Sequence, residues 1–374
     1  MGNKKKIVYF NSHFFDVDVT VIRELSKYYT IEWFVLLHES RDYYSAEYFK
    51  NYVKGLDVTL HLFVYKCRQR DWKFCQLTFR AVKEAAMTNS KLFFTSFPTL
   101  YLLIAYKWYM SKTPLVFGVH DVKLHSSNKI PLPLKLAMRW MLRTADYFIT
   151  YSFNQYHLFQ QLYPNKVCSN VGLSIRNHGT LPIKVPNKNI CTKFLFFGTI
   201  SKYKGYDLLI EQTEILCHEG YSNFHLSING NGPSTELDEI RQKAIHKSMY
   251  DLNLRFIKDK EIPELYSTNH FAVLPYRDAT QSGPLMIAVG YGIPIIAPNF
   301  GIFSEVYTNN VDAILYDPKD EQGLHNALLK AIALTDIQYQ NLRQNCIELK
   351  GKYSESKIVE NYSAFFNSIL KDDN

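Results

Sequence analysis

Short apolar runs alternate with stretches of helical periodicity along most of the chain. KIVYF has the length of a buried strand, and VTVIRELSKYY, after a short polar segment, places apolar residues at helical spacing. The alternation continues with the predicted strands TIEWFVLLH, KLFFTS, 114–120 and 146–152 and, between them, the predicted helices 71–89, 99–110 and 132–144. It predicts a parallel sheet with helices on both faces.

An aperiodic polar stretch at 181–193 interrupts this pattern. Pro182 and Pro186 lie there among lysines and asparagines, which predicts a linker. The alternation then resumes in the strands FLFFGT, FHLSING, LRFI, HFAVLPY, IPIIAP and AILYD and the helices 206–219, 235–247, 262–268, 319–334 and 356–370. The chain is therefore predicted to form two similar open sheets, in which ligands bind at the carboxyl ends of the strands.

Length and composition agree with two soluble domains. The 374 residues exceed what one compact core usually serves, and 47% of them are hydrophobic. The six cysteines are scattered without a CxxC pair, which favours reduced thiols over a zinc knot or a disulfide framework. We find no signal-peptide core and no apolar stretch of about 18 residues, so a cytosolic protein is expected.

The basic charge balance bears on the kind of partner. A net charge of +8 favours phosphorylated small molecules, nucleic acid or an anionic membrane. The predicted helix near 132–144 places Lys135, Arg139 and Arg143 on one stripe of an otherwise apolar segment. Two interpretations stay open: a core helix whose basic stripe faces water, and a surface helix that lies on an anionic bilayer.

Two strand ends in the second half combine a glycine turn with polar residues. FFGTISKYKGYD places Gly198 where the backbone can approach a ligand closely, and its Lys204 can meet a diphosphate as a point charge. INGNGP adds Gly230 and Asn231 in a tight turn after the next strand. Each stretch alone also fits a plain connection with solvated side chains.

A third strand end, LPYRDATQSGP, leads into an apolar run that two glycines interrupt. The hydroxyl groups of Thr280 and Ser282 and the N–H of Gly283 are candidates for hydrogen bonds to phosphate oxygens. A helix that starts near Pro284 would add exposed N–H groups and positive dipole potential. An N-capped core helix is the plainer alternative, but three such strand ends in one half favour an anion-binding site.

In the first half, VFGVHDVKLHS ends a predicted strand with His120 and Asp121. A lone His-Asp pair is more often structural than catalytic, but its place at a strand end makes both residues catalytic candidates. The pair lacks a third ligand at metal-site spacing, so no metal is expected there. His178 and Gly179, just before the linker, are candidates to line the ligand site.

Together these segments resemble glycosyltransferase family 4, the retaining, nucleotide-sugar-dependent enzymes with the GT-B fold. The resemblance is clearest over 192–320, in FFGTISKYKGYDLLI, LSINGNGP and LPYRDATQSGPLMIAVGYGIPIIAP followed by GIFSEV. In the first half, VHD, ADYFITYS and HG follow in family order. The combination PY…ATQSG resembles a subgroup common in bacterial surface-polysaccharide assembly.

The resemblance implies two Rossmann-like parallel-sheet domains that face a central cleft. Residues 1–183 would bind the acceptor, 184–352 the nucleotide sugar, and the helix in 353–374 would cross back to the first domain. It implies a UDP- or GDP-sugar as donor substrate and no bound metal or cofactor. His120 would approach the donor sugar, with Asp121 as a further catalytic candidate. The candidates for donor contact are Gly198, Thr199, Lys202, Lys204, Gly230, Asn231, Thr280, Gln281, Ser282, Gly283 and Glu305, among which Lys204 also counts as catalytic.

The chain departs from the family pattern at several positions. Two glutamates eight residues apart are frequent in the family, but counting back from GIP puts Ala279 and Ile287 there. The second glutamate usually holds the ribose, so ribose recognition must come from elsewhere, and Glu305 is a candidate. The arginine often found ahead of the lysine-glycine pair is absent, with Thr199 and Lys202 near its place.

These features predict a hexosyltransferase of polysaccharide biosynthesis at the inner face of the cell membrane. It would move a sugar from the donor to a saccharide or polyprenyl-linked acceptor with retention, and no nucleic acid partner is expected. Two rivals remain open: a GT-B relative that acts as an epimerase or phosphorylase, and a non-catalytic GT-B-like scaffold, which the missing glutamates favour.

Overall fold

A computed structural model of the protein describes residues 4–40, 44–123, 131–176, 178–179, 188 and 190–371. The chain forms two compact units. The first contains everything up to Ser174 together with the segment from Glu355 onwards, and the second contains Ile175–Ser354. No helix in the described part of the chain has the length and apolar character needed to cross a membrane.

The first unit is built on a seven-stranded sheet. Its strands are β1 (Lys6–Asn11), β2 (Thr30–His38), β3 (Val58–Tyr65), β4 (Phe93–Thr95), β5 (Leu115–Val119), β6 (Tyr147–Thr150) and β7 (Val167–Asn170). They pair in parallel in the order β3-β2-β1-β4-β5-β6-β7. The helices between them are α1 (Phe15–Leu25), α2 (Ala46–Tyr52), α3 (Trp72–Ala86), α4 (Leu100–Tyr109), α5 (Leu132–Thr144) and α6 (Phe153–Leu162). Trp33, Phe34 and Val35 on β2 are fully buried, as expected for a sheet covered on both faces.

The second unit repeats this plan with six strands. They are β8 (Thr192–Phe197), β9 (Phe224–Asn229), β10 (Tyr250–Asn253), β11 (Phe271–Val273), β12 (Ile295–Pro298) and β13 (Ala313–Tyr316). Their parallel order is β10-β9-β8-β11-β12-β13. The helices are α7 (Tyr206–His218), α8 (Ser234–Lys243), α9 (Ile262–Thr268), α10 (Gly283–Tyr291), α11 (Gly301–Val306), α12 (Gly323–Ala333) and α13 (Asp336–Lys352).

The last helix, α14 (Glu355–Lys371), packs on α1 within the first unit. Its buried face includes Val359, Tyr362 and Phe366. Two hydrogen bonds also join α14 to other parts of the first unit. The Tyr29 hydroxyl donates to Asn367 Oδ1 at 2.9 Å, and Asn361 Nδ2 donates to the Val171 carbonyl at 3.0 Å.

The predicted alternation and the parallel sheet in each half are confirmed. The strand predicted at LRFI is wrong, because the ladder with β9 uses the preceding residues Tyr250–Asn253, while Arg255 and Phe256 are exposed. Most of the predicted linker, 181–187 and 189, lies outside the described residues. Its last two residues, Thr192 and Lys193, belong to β8. Six further elements were not predicted: the short or polar α2, α6, β7, α11 and α13, and the eight-residue strand β3.

The connection between β8 and α7 depends on one glycine. Gly205 has φ 71°, and a Cβ added there would lie 2.0 Å from the Pro275 carbonyl oxygen. Gly220 has φ 90°, but no described atom lies within 4 Å of the corresponding Cβ position. We therefore expect Gly205→Ala to lower the free energy of unfolding by about 3 kcal/mol or more, and Gly220→Ala by about 1 kcal/mol. Urea titration of both variants measures the difference, and equal losses would show that the Pro275 contact is readily relieved.

Candidate functional site

The strand ends that the sequence singled out meet at one edge of the second sheet. The loops after β8 and β9 are joined by main-chain hydrogen bonds: Gly198 N–H donates to the Asn229 carbonyl at 3.0 Å, and Ile200 N–H to the Asn231 carbonyl at 2.8 Å. A Cβ on Gly230 would lie 1.8 Å from the Gly198 carbonyl oxygen. The glycines therefore allow two loops to touch, and the Asn231 side chain is exposed.

At the same edge, α10 follows β11 and begins with an N-cap. Ser282 Oγ accepts a hydrogen bond from the Leu285 N–H at 3.2 Å, and the residue is only 3% exposed. The helix begins at Gly283, one residue before Pro284, close to the predicted start. The N-cap leaves other N–H groups of the first turn without helical partners, and this end of α10 carries positive potential. Gly292, with φ 59°, ends the helix.

Lys204 lies beside this helix start. It closes a 3₁₀ turn, Lys202–Lys204, and is 7% exposed. A Cβ on Gly198 would lie 3.0 Å from Lys204 Nζ and 3.2 Å from Pro284 Cγ, so the ammonium group is close to the first turn of α10. Burial, together with the positive charge of Arg176, lowers the pKa of Lys204 to about 8. Among the described residues, no carboxylate pairs with this ammonium group.

Arg176 is a site residue that the sequence analysis missed. Its Nη1 lies 2.9 Å from the position that a Cβ on Gly283 would occupy, so the guanidinium group packs against the first residue of α10. The segment lies beside α10, because the Tyr291 hydroxyl donates to the Gly179 carbonyl at 2.8 Å and a Cβ on Gly290 would lie 3.2 Å from the Arg176 carbonyl oxygen. The Ile175 N–H donates to the carbonyl of Tyr353, directly after α13, at 2.9 Å. The only signal in the sequence is a basic residue in IRNHG ahead of the linker.

Lys202 belongs to a different environment. Its ammonium group pairs with Glu239 and Asp207, and the hydrogen bond to Glu239 raises its pKa. Arg277 closes the network with two hydrogen bonds to Asp207, at 2.8 and 3.2 Å. Arg277 N–H also donates to the Tyr203 carbonyl at 2.7 Å. The network thus fixes the 3₁₀ turn that positions Lys204.

The remaining predicted donor residues of this unit surround the same loops. Thr199 is exposed after β8, while Thr280 and Gln281 are half-buried just before α10. Glu305 is half-buried on α11. The first residue of this helix, Gly301, packs against the main chain at Ala279, and a Cβ added to Gly301 would lie 2.7 Å from the Ala279 carbonyl oxygen. Ile287, at the position of the second family glutamate, is 3% exposed inside α10.

His120 and Asp121 follow β5 in the first unit. The His120 ring stacks between Phe14 and Tyr151, with centroid distances of 3.9 and 4.4 Å. His13 stacks on Phe97 at 3.8 Å, and burial lowers the pKa of His13 to about 4, so its ring is neutral at physiological pH. The carboxyl edge of this sheet therefore presents a cluster of aromatic rings around His120.

A basic and apolar surface lies on another part of the first unit. Lys135, Arg139 and Arg143 are exposed on α5, together with Leu132 and Leu136. The neighbouring α4 exposes three quarters of Trp108. Neither helix contains an aspartate or glutamate. We call this surface, formed by α4 and α5, the basic-apolar face.

Comparison with known proteins agrees with these features. Residues 191–333 match the family model described as glycosyl transferases group 1. The chain is 26% identical over 175 residues to the 2-deoxystreptamine N-acetyl-D-glucosaminyltransferase of Niallia circulans, and the match spans 46% of this chain and 44% of that protein.

The fold is that of GT-B glycosyltransferases. Sucrose-phosphate synthase from Thermosynechococcus elongatus superposes with a TM-score of 0.74 at 12% identity, covering 99% of this chain and 100% of that one. Anabaena HepE, solved with UDP and glucose, gives a TM-score of 0.70 at 16% identity and covers 97% of this chain and 100% of its own. The resemblance to glycosyltransferases is thereby confirmed for the fold and for the group 1 segment.

The buried charge on Lys204 is expected to cost stability. A pKa lowered from 10.5 to about 8 corresponds to about 3 kcal/mol lost at neutral pH. Below pH 8 the native lysine is charged and the full cost applies. The cost then falls as pH rises from 8 to 10.5, because in this range the unfolded lysine still holds its proton and the native lysine does not. Lys204→Met should therefore raise the free energy of unfolding at pH 7 by about 1–3 kcal/mol.

Denaturant titration at pH 7 and 9 checks this expectation, with Lys202→Met as the matched control. Lys202 is exposed and paired, so its replacement should change stability by about 1 kcal/mol or less, in the destabilising direction. Lys204 Nζ lies 5.9 and 5.5 Å from the ring centroids of Tyr203 and Tyr276. Destabilisation by Lys204→Met at both pH values would mean that these ring contacts outweigh the desolvation of the ammonium group.

Proposed function

We propose that the protein is a retaining glycosyltransferase of family 4 that transfers a hexose from a UDP- or GDP-sugar to a saccharide or polyprenyl-linked acceptor. The observation that carries the proposal is the pair of cations, Lys204 and Arg176, at the N-terminus of α10. The match of residues 191–333 to group 1 glycosyltransferases supports the same reaction class.

The chemistry follows from the charge that develops in sugar transfer. As the glycosidic bond to the donor breaks, negative charge builds on the departing diphosphate, and fixed positive groups lower the barrier. Lys204 supplies a point charge and Arg176 a planar fork of donors suited to phosphate oxygens. The first turn of α10 adds N–H groups. A bound diphosphate would raise the pKa of Lys204 and keep it charged during the reaction.

The two units divide the substrates in this proposal. The second unit holds the donor through the candidate residues around Gly198, Gly230 and Thr280–Gly283, and Glu305 is the candidate for ribose. The first unit holds the acceptor, with His120 and Asp121 as candidate catalytic residues among aromatic rings that suit the apolar faces of a sugar. UDP is the first nucleotide to test, because HepE of Anabaena was solved with it.

The basic-apolar face supports a further part of the proposal, attachment to the inner face of the cell membrane. Exposed Trp108, Leu132 and Leu136 would enter the headgroup region of a bilayer, while the three basic residues of α5 would meet anionic lipids. An acceptor on a lipid carrier would then be within reach of the enzyme.

Loss of either site cation should weaken nucleotide binding. We expect Lys204→Met and Arg176→Ala each to reduce UDP affinity by about tenfold to a hundredfold, the usual effect of losing a hydrogen bond to a charged group. Calorimetry with UDP measures this. Lys243→Met removes an exposed cation of α8 and serves as the control, with unchanged affinity expected.

The pH dependence of UDP affinity separates Lys204 from other contributions. Because burial lowers the pKa of Lys204 to about 8, the free protein loses this charge above pH 8, and binding then requires uptake of a proton. Wild-type affinity should fall about tenfold between pH 7.5 and 9.5, whereas Lys204→Arg, which stays charged, should show a flat profile. A flat wild-type profile would remove Lys204 from the phosphate site.

Product analysis decides between the proposed transfer and its rivals. Sugar nucleotide consumed only in the presence of an acceptor supports transfer, and a product with the donor's anomeric configuration supports retention. Donor epimerised without acceptor would indicate an epimerase, and donor consumed by phosphate alone a phosphorylase. Absence of binding to UDP, GDP and their sugars would favour a non-catalytic scaffold, in keeping with Ala279 and Ile287 in place of the glutamates.

Membrane binding is tested by co-sedimentation with vesicles of phosphatidylcholine containing phosphatidylglycerol. The combined changes Lys135→Gln, Arg139→Gln and Arg143→Gln should weaken binding about 100-fold, at about 1 kcal/mol per cation. The control combines Lys50→Gln, Lys54→Gln and Lys83→Gln, which remove the same charge from exposed positions elsewhere in the first unit. Equal losses in both triple variants would indicate that net charge, and not this face, drives binding.

A further inference from the structure

A cluster of potential metal ligands lies in the second unit, away from the start of α10. Glu214 and His218 occupy successive turns of α7 and therefore share a face of the helix. His246 lies in the connection between α8 and β10. Each side chain offers one ligand atom, and these three atoms lie within 4.8 Å of one another.

Glu214 is the fixed member of the cluster. It is 7% exposed, and its Oε1 accepts hydrogen bonds from the N–H groups of Ile245 at 2.8 Å and His246 at 3.2 Å. Its Oε2 lies 2.6 Å from His246 Nδ1. The His218 ring meets the His246 ring edge to face at 5.1 Å and is exposed, so it is free to change rotamer.

We propose that Glu214, His218 and His246 bind a divalent transition-metal ion, for which Zn²⁺ is the best match. Two imidazole nitrogens, one carboxylate oxygen and a water form a four-coordinate set that zinc accepts readily. Tetrahedral bonds of about 2.0–2.2 Å place neighbouring ligand atoms roughly 3.3 Å apart. To reach this spacing, the Glu214 carboxylate and the His246 ring would move slightly apart, and the His218 side chain would change rotamer to approach them.

The ion would join α7 to the connection that follows α8, and both helices come directly after loops of the proposed donor site. α7 starts directly after Gly205, and α8 follows the loop that contains Gly230. The cluster lies at the far end of α7, about 18 Å along the helix from Tyr206. The ion would therefore brace the second unit without taking part in sugar transfer, and its binding free energy would add to stability.

The test uses the full chain, stripped of metal with a chelator and titrated with Zn²⁺ in a calorimeter. We expect one equivalent per chain and a Tm that rises by several degrees with excess Zn²⁺. His218→Ala preserves the contact between Glu214 and His246, so it should fold normally. It should weaken Zn²⁺ binding tenfold to a hundredfold and abolish the rise in Tm, with UDP affinity unchanged. His157→Ala, an exposed histidine of α6, should behave as wild type.

Cobalt substitution provides an independent readout, because four-coordinate Co²⁺ with nitrogen ligands gives intense visible absorption that six-coordinate Co²⁺ lacks. The spectrum should appear in wild type and vanish in His218→Ala. The proposal is wrong if wild type binds no stoichiometric ion, or if His218→Ala binds it equally well. Glu214 and His246 would then be a hydrogen-bonded pair that binds no metal. Either result leaves the donor-site proposal untouched, since UDP binding is measured separately.

Discussion

The second unit depends on holding two like charges beside the start of one helix. Lys204 is almost fully buried and lies near Arg176, so both desolvation and repulsion oppose the arrangement. A buried charge without an opposite partner is costly. Local departures from the most stable arrangement are expected where a protein binds or reacts, which is why we propose a diphosphate as the ligand of this pair.

The rest of the site can be understood as support for that arrangement. Arg277 and Asp207 fix the 3₁₀ turn that carries Lys204, and Gly205 lets this turn approach Pro275. Gly283 leaves room for the guanidinium group of Arg176, which a Cβ would displace. These contacts share one physical role: they keep the positive groups in place before any ligand arrives, so little reorganisation is needed when it binds.

The first unit has a different character. Its strand ends gather aromatic rings around His120, and its surface carries the basic-apolar face of α4 and α5. The contrast between a cationic edge in one unit and an aromatic edge in the other suits the sugar transfer that we propose, in which the second unit holds a charged donor and the first a saccharide acceptor.

The sequence by itself determined the fold class, the strand ends that carry Gly198, Gly230 and Ser282, and the exposed basic stripe of α5. These features are local, because periodicity and turn residues act over a few positions. Tertiary structure alone decided that Lys204 is buried while Lys202 is paired with carboxylates, although the two lie only two positions apart in a single turn. It also decided that Arg176 reaches α10. Both depend on contacts between segments far apart in the chain, which no local pattern encodes.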